Sequence, residues 1–205
     1  MPLAGIGRDH VATSRSGVGT IVLCFPVEAV ILLGIEGYDP EWNHDAVALA
    51  AVHRARFTRL IGRKLLSGWL MWDLTERGWF ADGPVILGFG ETNVEITHRK
   101  FDECAITWDK VDMSAPVDWY ATGIQLDWRA DPHAALRNAR GRVLREVNII
   151  ERVTVAEWRP RVLHAVEFLF EGARLAVYNA MDENGLTDVP EWDLPVNNWR
   201  RVRVA

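Results

Sequence analysis

His98 is followed four residues later by Asp102, in the run Thr97-His98-Arg99-Lys100-Phe101-Asp102-Glu103. Imidazole titrates near neutrality and a carboxylate can orient it, so His98 with Asp102 and Glu103 has the composition of a general acid–base set. A second run, Tyr178-Asn179-Ala180-Met181-Asp182-Glu183-Asn184-Gly185, carries the same Asp-Glu pair without a histidine. Two readings compete. In one, His98, Asp102 and Asp182 do acid–base chemistry while Trp72, Trp108, Tyr178, Asn179 and Glu183 hold a small ligand. In the other, Asp-Glu-Asn-Gly is turn chemistry, with Asp and Asn bonding their own backbone and Gly taking the left-handed conformation. Repetition favours the turn, because both runs need one and only one run has the histidine.

Other chemistry is thinly represented. His44, Asp45 and His53 lack the spacing of a metal-ligand motif, so no metal is expected. Gly17-Val18-Gly19 precedes its strand and lacks a third glycine, which excludes a dinucleotide fingerprint. There is no phosphate-cradling lysine loop and no nucleophile elbow. No cofactor is expected. Two basic clusters remain: Arg54, Arg56, Arg59, Arg63 and Lys64, and then Arg137, Arg140, Arg142 and Arg145. Each reads either as an anion site or as a solvated helix end whose charges match the dipole, and the helix end is favoured.

These residues need elements to position them. Asp39-Pro40 and Asp131-Pro132 both read as helix starts, since Asp caps free N–H groups and Pro fits the first turn. Residues 45–60 then carry Ala46, Leu49, Ala50, His53 and Phe57 at helical spacing, and 133–140 make a shorter helix. Strands are expected at 20–25, 27–34, 64–72, 85–89, 93–98 and 104–108, and again at 143–153, 163–170 and 174–178. The last residues, 189–205, read as a Pro- and Trp-bearing tail.

The two sets of elements repeat. Gly62-Arg63-Lys64-Leu65 parallels Gly141-Arg142-Val143-Leu144, residues 85–90 parallel 166–171, and 102–107 parallel 182–187. The offsets, from 62 to 141, 85 to 166 and 102 to 182, are 79, 81 and 80 residues. The fold expected is therefore α+β: two divergent copies of a helix plus antiparallel β-meander, packed into one body because neither meander can cover its apolar face alone. The units are 20–112 and 113–205, after an N-terminal arm at 1–19. Whether they share one sheet or pack as two is open.

Bulk properties bound the function. The chain has 205 residues, 49% hydrophobic, with a net charge of −5, so it can bury a core and lacks the basic surface of a nucleic-acid binder. No apolar run is long enough to span a bilayer. Cys24 and Cys104 lie in apolar runs and read as buried, reduced thiols, which fits a cytoplasmic setting. Ten tryptophans read chiefly as core filler, with one or two left for a site. Short repeated β units, an Asp-Glu turn and no catalytic signature resemble, in general build, the small bacterial immunity proteins that neutralise toxins. That resemblance implies a binding module with a protein partner. The alternative is a small-molecule enzyme or binder with a Trp-lined pocket between the two units.

Overall fold

The computed structural model describes residues 31–32, 34–120, 122–153, 161–193 and 198–205. The expected arm at 1–19, the strand at 20–25 and Cys24 lie outside the described residues, and of 27–34 only the end is inside. Among the described residues there are two α-helices and two large antiparallel sheets, so the class is mixed α+β. A short hairpin, β1 (Ile31–Leu32) and β2 (Ile35–Glu36), precedes them.

Helix α1 (Ala46–Leu60) starts later than Asp39-Pro40 predicts. Asp45 is the cap: its side chain accepts from the N–H groups of Val47 and Ala48 at 2.8 and 3.0 Å. It sits directly before the alanine-rich run, whereas Asp39 is too far upstream to reach that run's free donors. One face of α1 buries Leu49, Ala50, Phe57 and Leu60. Helix α2 (Ala134–Ala139) corrects the second prediction too. His133 caps it through Nδ1, accepting from Ala135 N–H at 3.2 Å. Asp131 is drawn off elsewhere: one carboxylate oxygen accepts from Gly68 N–H at 2.8 Å and the other pairs with Arg140 at 2.9 Å.

The first sheet holds β3 (Ser67–Asp73), β4 (Gly78–Trp79), β5 (Val85–Gly88), β6 (Asn93–Arg99) and β7 (Glu103–Trp108). It also takes in β8 (Leu126–Ala130), which lies beyond residue 112. Trp69 of β3 faces Ile86 of β5 on one side and Ala130 of β8 on the other, so β8 lies along the opposite edge of β3 from β5. The second sheet holds β9 (Leu144–Val153), β10 (Arg161–Phe170), β11 (Ala173–Asn179), β12 (Asn184–Thr187) and β13 (Trp199–Arg203), with β13 on the far edge of β9. Strand order is β8-β3-β5-β6-β7 in one, with the short β4 paired to the end of β3 on the β5 side, and β13-β9-β10-β11-β12 in the other, all antiparallel. β8, β12 and β13 were not expected from sequence. β13 lies in the supposed tail, where Trp199 and Val202 stand among three arginines.

The sheets meet in two ways. At the Gly-Arg turns, Gly62 N–H donates to Leu144 C=O at 2.8 Å and Gly141 N–H donates to Leu65 C=O at 2.7 Å. Leu65 N–H donates to Arg142 C=O and Leu144 N–H to Arg63 C=O, so the bonds form two reciprocal pairs around a bridge between Lys64 and Val143. Both glycines have positive φ, 85° and 77°, a conformation that costs other residues about 1–2 kcal/mol. Behind this junction one apolar core joins both sheets and both helices. Phe57 of α1 packs edge-on to Trp108 of β7 at 4.8 Å and to Phe168 of β10 at 5.9 Å, which ties the halves together. Cys104 is fully buried in this core and is free.

The outer face of the first sheet is covered by Tyr38, Val111 and Trp119 from flanking segments. The outer face of the second sheet is covered by Trp192 of a 3-10 turn, Glu191–Asp193. There Glu167, fully buried, accepts from Trp192 Nε1 at 2.9 Å, Arg201 Nε at 3.1 Å and Asn148 Nδ2 at 3.1 Å. A carboxylate taken out of water needs this many donors.

Candidate functional site

The second contact between the halves is made by side chains. Loop 100–102, after β6, meets loop 180–183, after β11. Asn179 Nδ2 donates to Lys100 C=O at 2.7 Å, and an Asp182 carboxylate oxygen accepts from Lys100 N–H. Asn184, 1% exposed, uses every hydrogen-bonding position of its amide. Its Nδ2 donates to the carbonyls of Ala81 and Gly83 at 3.1 and 2.9 Å. Its Oδ1 accepts from His98 N–H at 2.9 Å and lies 3.0 Å from His98 Nδ1.

That geometry fixes the histidine. Asn184 Oδ1 can only accept, so Nδ1 carries the proton and Nε2 presents a lone pair. His98 is 2% exposed, and burial drives its pKa down to about 4. At neutral pH it is an uncharged ring, and Nε2 makes no hydrogen bond. So low a pKa makes it a weak base, better suited to accepting a hydrogen bond than to shuttling protons.

His98 lines a cavity of about 180 Å³ with Asp182, Asp82, Trp42, Trp119 and Tyr120. Arg99 also reaches it, its guanidinium 3.9 Å above the Trp42 ring and its Nε 2.6 Å from Glu103. Glu103 is thus held below the usual carboxylate range, its ion pairs with Lys100 and Arg99 outweighing desolvation. Asp82, Asp182 and Glu183 have no ion-pair partner among the described residues. Partial burial, then the charges of Glu183 and Asp182, push the Asp82 carboxyl upward. Beside the cavity, Phe101 is 70% and Met181 78% exposed at the tips of the two loops, and Tyr120 is exposed as well.

The structure therefore brings together His98, Asp182, Asn179 and Glu183 of the residues singled out from sequence. Asp102 is buried and does not line this cavity. Trp108 is buried, donating from Nε1 to His53 Nδ1 at 3.1 Å. Trp72 sits on β3 under the Arg129 guanidinium at 4.7 Å. Tyr178 belongs to a separate cavity of about 270 Å³ on the outer face of the second sheet, with His164, Trp192 and Glu191. His164 is the extra residue of a β-bulge between Leu163 and Ala165 and lies beside Trp192 on that outer face.

The turn reading also needs correction in detail. Asn184 does not bond its own turn; it begins β12 and reaches across to the other half. Gly185 is not left-handed. A Cβ there would stand 2.2 Å from the Tyr178 ring, so glycine is required for close approach. The left-handed residues are Met181 and Asp182, with φ of 66° and 88°. Asp82, Trp42, Trp119 and Tyr120 were missed from sequence because they lie on separate segments. Asn184 carried a signal, since it stands opposite buried Cys104 when residues 102–107 are set against 182–187.

Among the described residues, no cluster of three His, Cys, Asp or Glu is placed to hold a metal ion, and no helix is long and apolar enough to cross a membrane. No family model, curated protein or solved structure matches the chain.

Proposed function

We propose that the chain is a binding module that captures a lysine- or arginine-bearing segment of a protein partner at the face where the two halves meet. The observation that carries this is the pairing of unneutralised carboxylates with a hydrogen-bond acceptor. Asp82, Asp182 and Glu183 make no ion pair among the described residues, and Arg99, the cation that lines the cavity, is held by Glu103, while His98 Nε2 accepts from nothing. Every unfilled polar group there wants a donor, and a cationic side chain supplies one. Trp119 and Tyr120 add ring surface to the cavity that receives it, and Phe101 and Met181 flank it as exposed apolar contacts. Size favours a side chain over a metabolite: about 180 Å³ falls below the roughly 300–1,000 Å³ of small-molecule sites. An immunity-like neutralising role is one form this capture would take.

The matched strand orders and the reciprocal bonds at the Gly-Arg turns support descent of the two halves from one duplicated unit. On that reading the meeting face is where the copies diverged.

The test is fluorescence titration of the full chain with synthetic Lys/Arg-rich peptides and with Asp/Glu-rich controls. Binding of the cationic peptides that weakens with salt, and is lost in Asp82→Asn/Glu183→Gln with an unchanged melting temperature, supports the proposal. Equal binding of both peptide classes, or binding indifferent to those substitutions, refutes it.

A further inference from the structure

Most arginines of the second sheet are paired: Arg145 with Glu171, Arg174 with Asp193, Arg200 with Glu151 and Arg201 with Glu167. Three around the end of α1 are not. Arg56, Arg59 and Arg63 make no ion pair among the described residues, yet all three line one cleft of about 300 Å³ with Thr92, Trp108 and Asp109. Gathering three cations around the single carboxylate of Asp109 costs repulsion. The helix C-terminus offsets some of it, but it carries only about half a negative charge.

Two of the three are held in ways that leave their terminal nitrogens available. Arg63 donates from Nε to Arg59 C=O at 3.1 Å. Arg56 lies with its guanidinium 5.5 Å from the centre of the Trp108 ring. Such constraint reduces the ordering cost of binding. Asp109, the acid in the cleft, has Oδ1 committed to Asn93 N–H at 2.7 Å, where it extends the β6–β7 pairing. Its charge still opposes an anion. The matching cleft of the second half, about 470 Å³, is lined by Arg137, Arg140, Arg142 and Arg174, but Asp131, Asp193 and Glu167 neutralise two of these.

We infer that the Arg56/Arg59/Arg63 cleft binds a compact phosphate-bearing anion of the pyrophosphate class. Guanidinium forks match phosphate oxygens two at a time. Three guanidinium charges exceed what one orthophosphate offsets near neutral pH, so two linked phosphates are the better match in charge.

Isothermal titration calorimetry on the full chain tests this with pyrophosphate, orthophosphate and sulfate as probes. Pyrophosphate should bind at least tenfold more tightly than orthophosphate. Arg56→Gln/Arg59→Gln/Arg63→Gln should weaken it at least tenfold, with folding confirmed by melting temperature. Asp109→Asn, which keeps the acceptor for Asn93, should tighten it severalfold. Arg142→Gln in the other cleft should leave it unchanged. Phosphatidic-acid vesicles separate a lipid headgroup from a soluble ligand. No pyrophosphate binding at millimolar concentration, dependence on Arg142 instead, or binding of vesicles alone each overturns the inference. If the triple substitution itself unfolds the chain, the Asp109→Asn and Arg142→Gln arms decide.

Discussion

The two places where the halves join are built differently. At the Gly-Arg turns the bonds are backbone to backbone and reciprocal, so whatever one half gives it receives. At the loops around 100 and 182 the second half supplies side chains, Asn179, Asp182 and Asn184, to main-chain atoms of the first. A backbone junction depends on conformation and tolerates side-chain change. A side-chain junction depends on the identity of a few residues, and there the two halves differ in charge, in exposed apolar groups and in a buried histidine.

The largest test of this contrast is Asn184→Ala. It leaves His98 N–H, His98 Nδ1 and the Gly83 carbonyl short of a partner in a buried site, each costing about 1–3 kcal/mol, while the Ala81 carbonyl keeps the Asn184 backbone N–H. Urea denaturation should show a loss of at least about 3 kcal/mol. A loss under about 1 kcal/mol would mean the side-chain junction is not what holds this end.

His98 provides the next effect through pH. Its pKa is lowered in the folded state to about 4, against an ordinary value near 6.5. The unfolded chain therefore binds more protons between those values, so stability is full above about pH 6.5 and falls as pH drops toward 4. One ring with this shift accounts for about 3 kcal/mol. His53, also lowered to about 4 by burial and by Arg56, adds to the same trend in the same direction. The part due to His98 should vanish in His98→Gln, compared by denaturation at pH 7 and pH 4.5. An unchanged pH dependence would mean that His98 is hydrated in solution.

Much of this architecture was legible from the chain. The Gly-Arg blocks stood out as a pattern that recurs at a fixed offset, but nothing in that pattern showed that the two turns bond to each other. β5, β9 and β10 were legible because Val, Ile, Leu and Phe are frequent in them, and β6 because Val94 and Ile96 alternate with polar residues. The helix starts were misplaced because Asp-Pro satisfies a local rule, while Asp131 is taken by a long-range bond to Gly68 that no local pattern shows. The site was only half legible. His98, Asp182 and Glu183 stand out by type, but Trp42, Asp82 and Tyr120 reach the same cavity from distant segments, and sequence carries no sign of that convergence.

A smaller effect separates the junctions from the other side. Gly62→Ala and Gly141→Ala place a Cβ in open space, so only the left-handed backbone opposes them. Each should cost about 1 kcal/mol, and the two should agree within about 0.5 kcal/mol if the junction is as reciprocal as its bonds. A difference of more than about 1 kcal/mol would break the symmetry of that end.

The smallest expected effect is the one that bears most on function. Met181 holds a left-handed conformation at φ 66° while its side chain is 78% exposed. It gains almost nothing from burial and bears a conformational cost that Asn would largely escape. On stability alone Met181→Asn should therefore raise the unfolding free energy by a few tenths of a kcal/mol, up to about 1. Strain of this kind tends to collect where a surface is used. If Met181 is kept for contact with a cationic partner segment, the same substitution should weaken peptide binding while it stabilises the fold. Stabilisation without any loss of binding would separate the strain from the proposed surface and leave Phe101 as its exposed apolar contact on the loops.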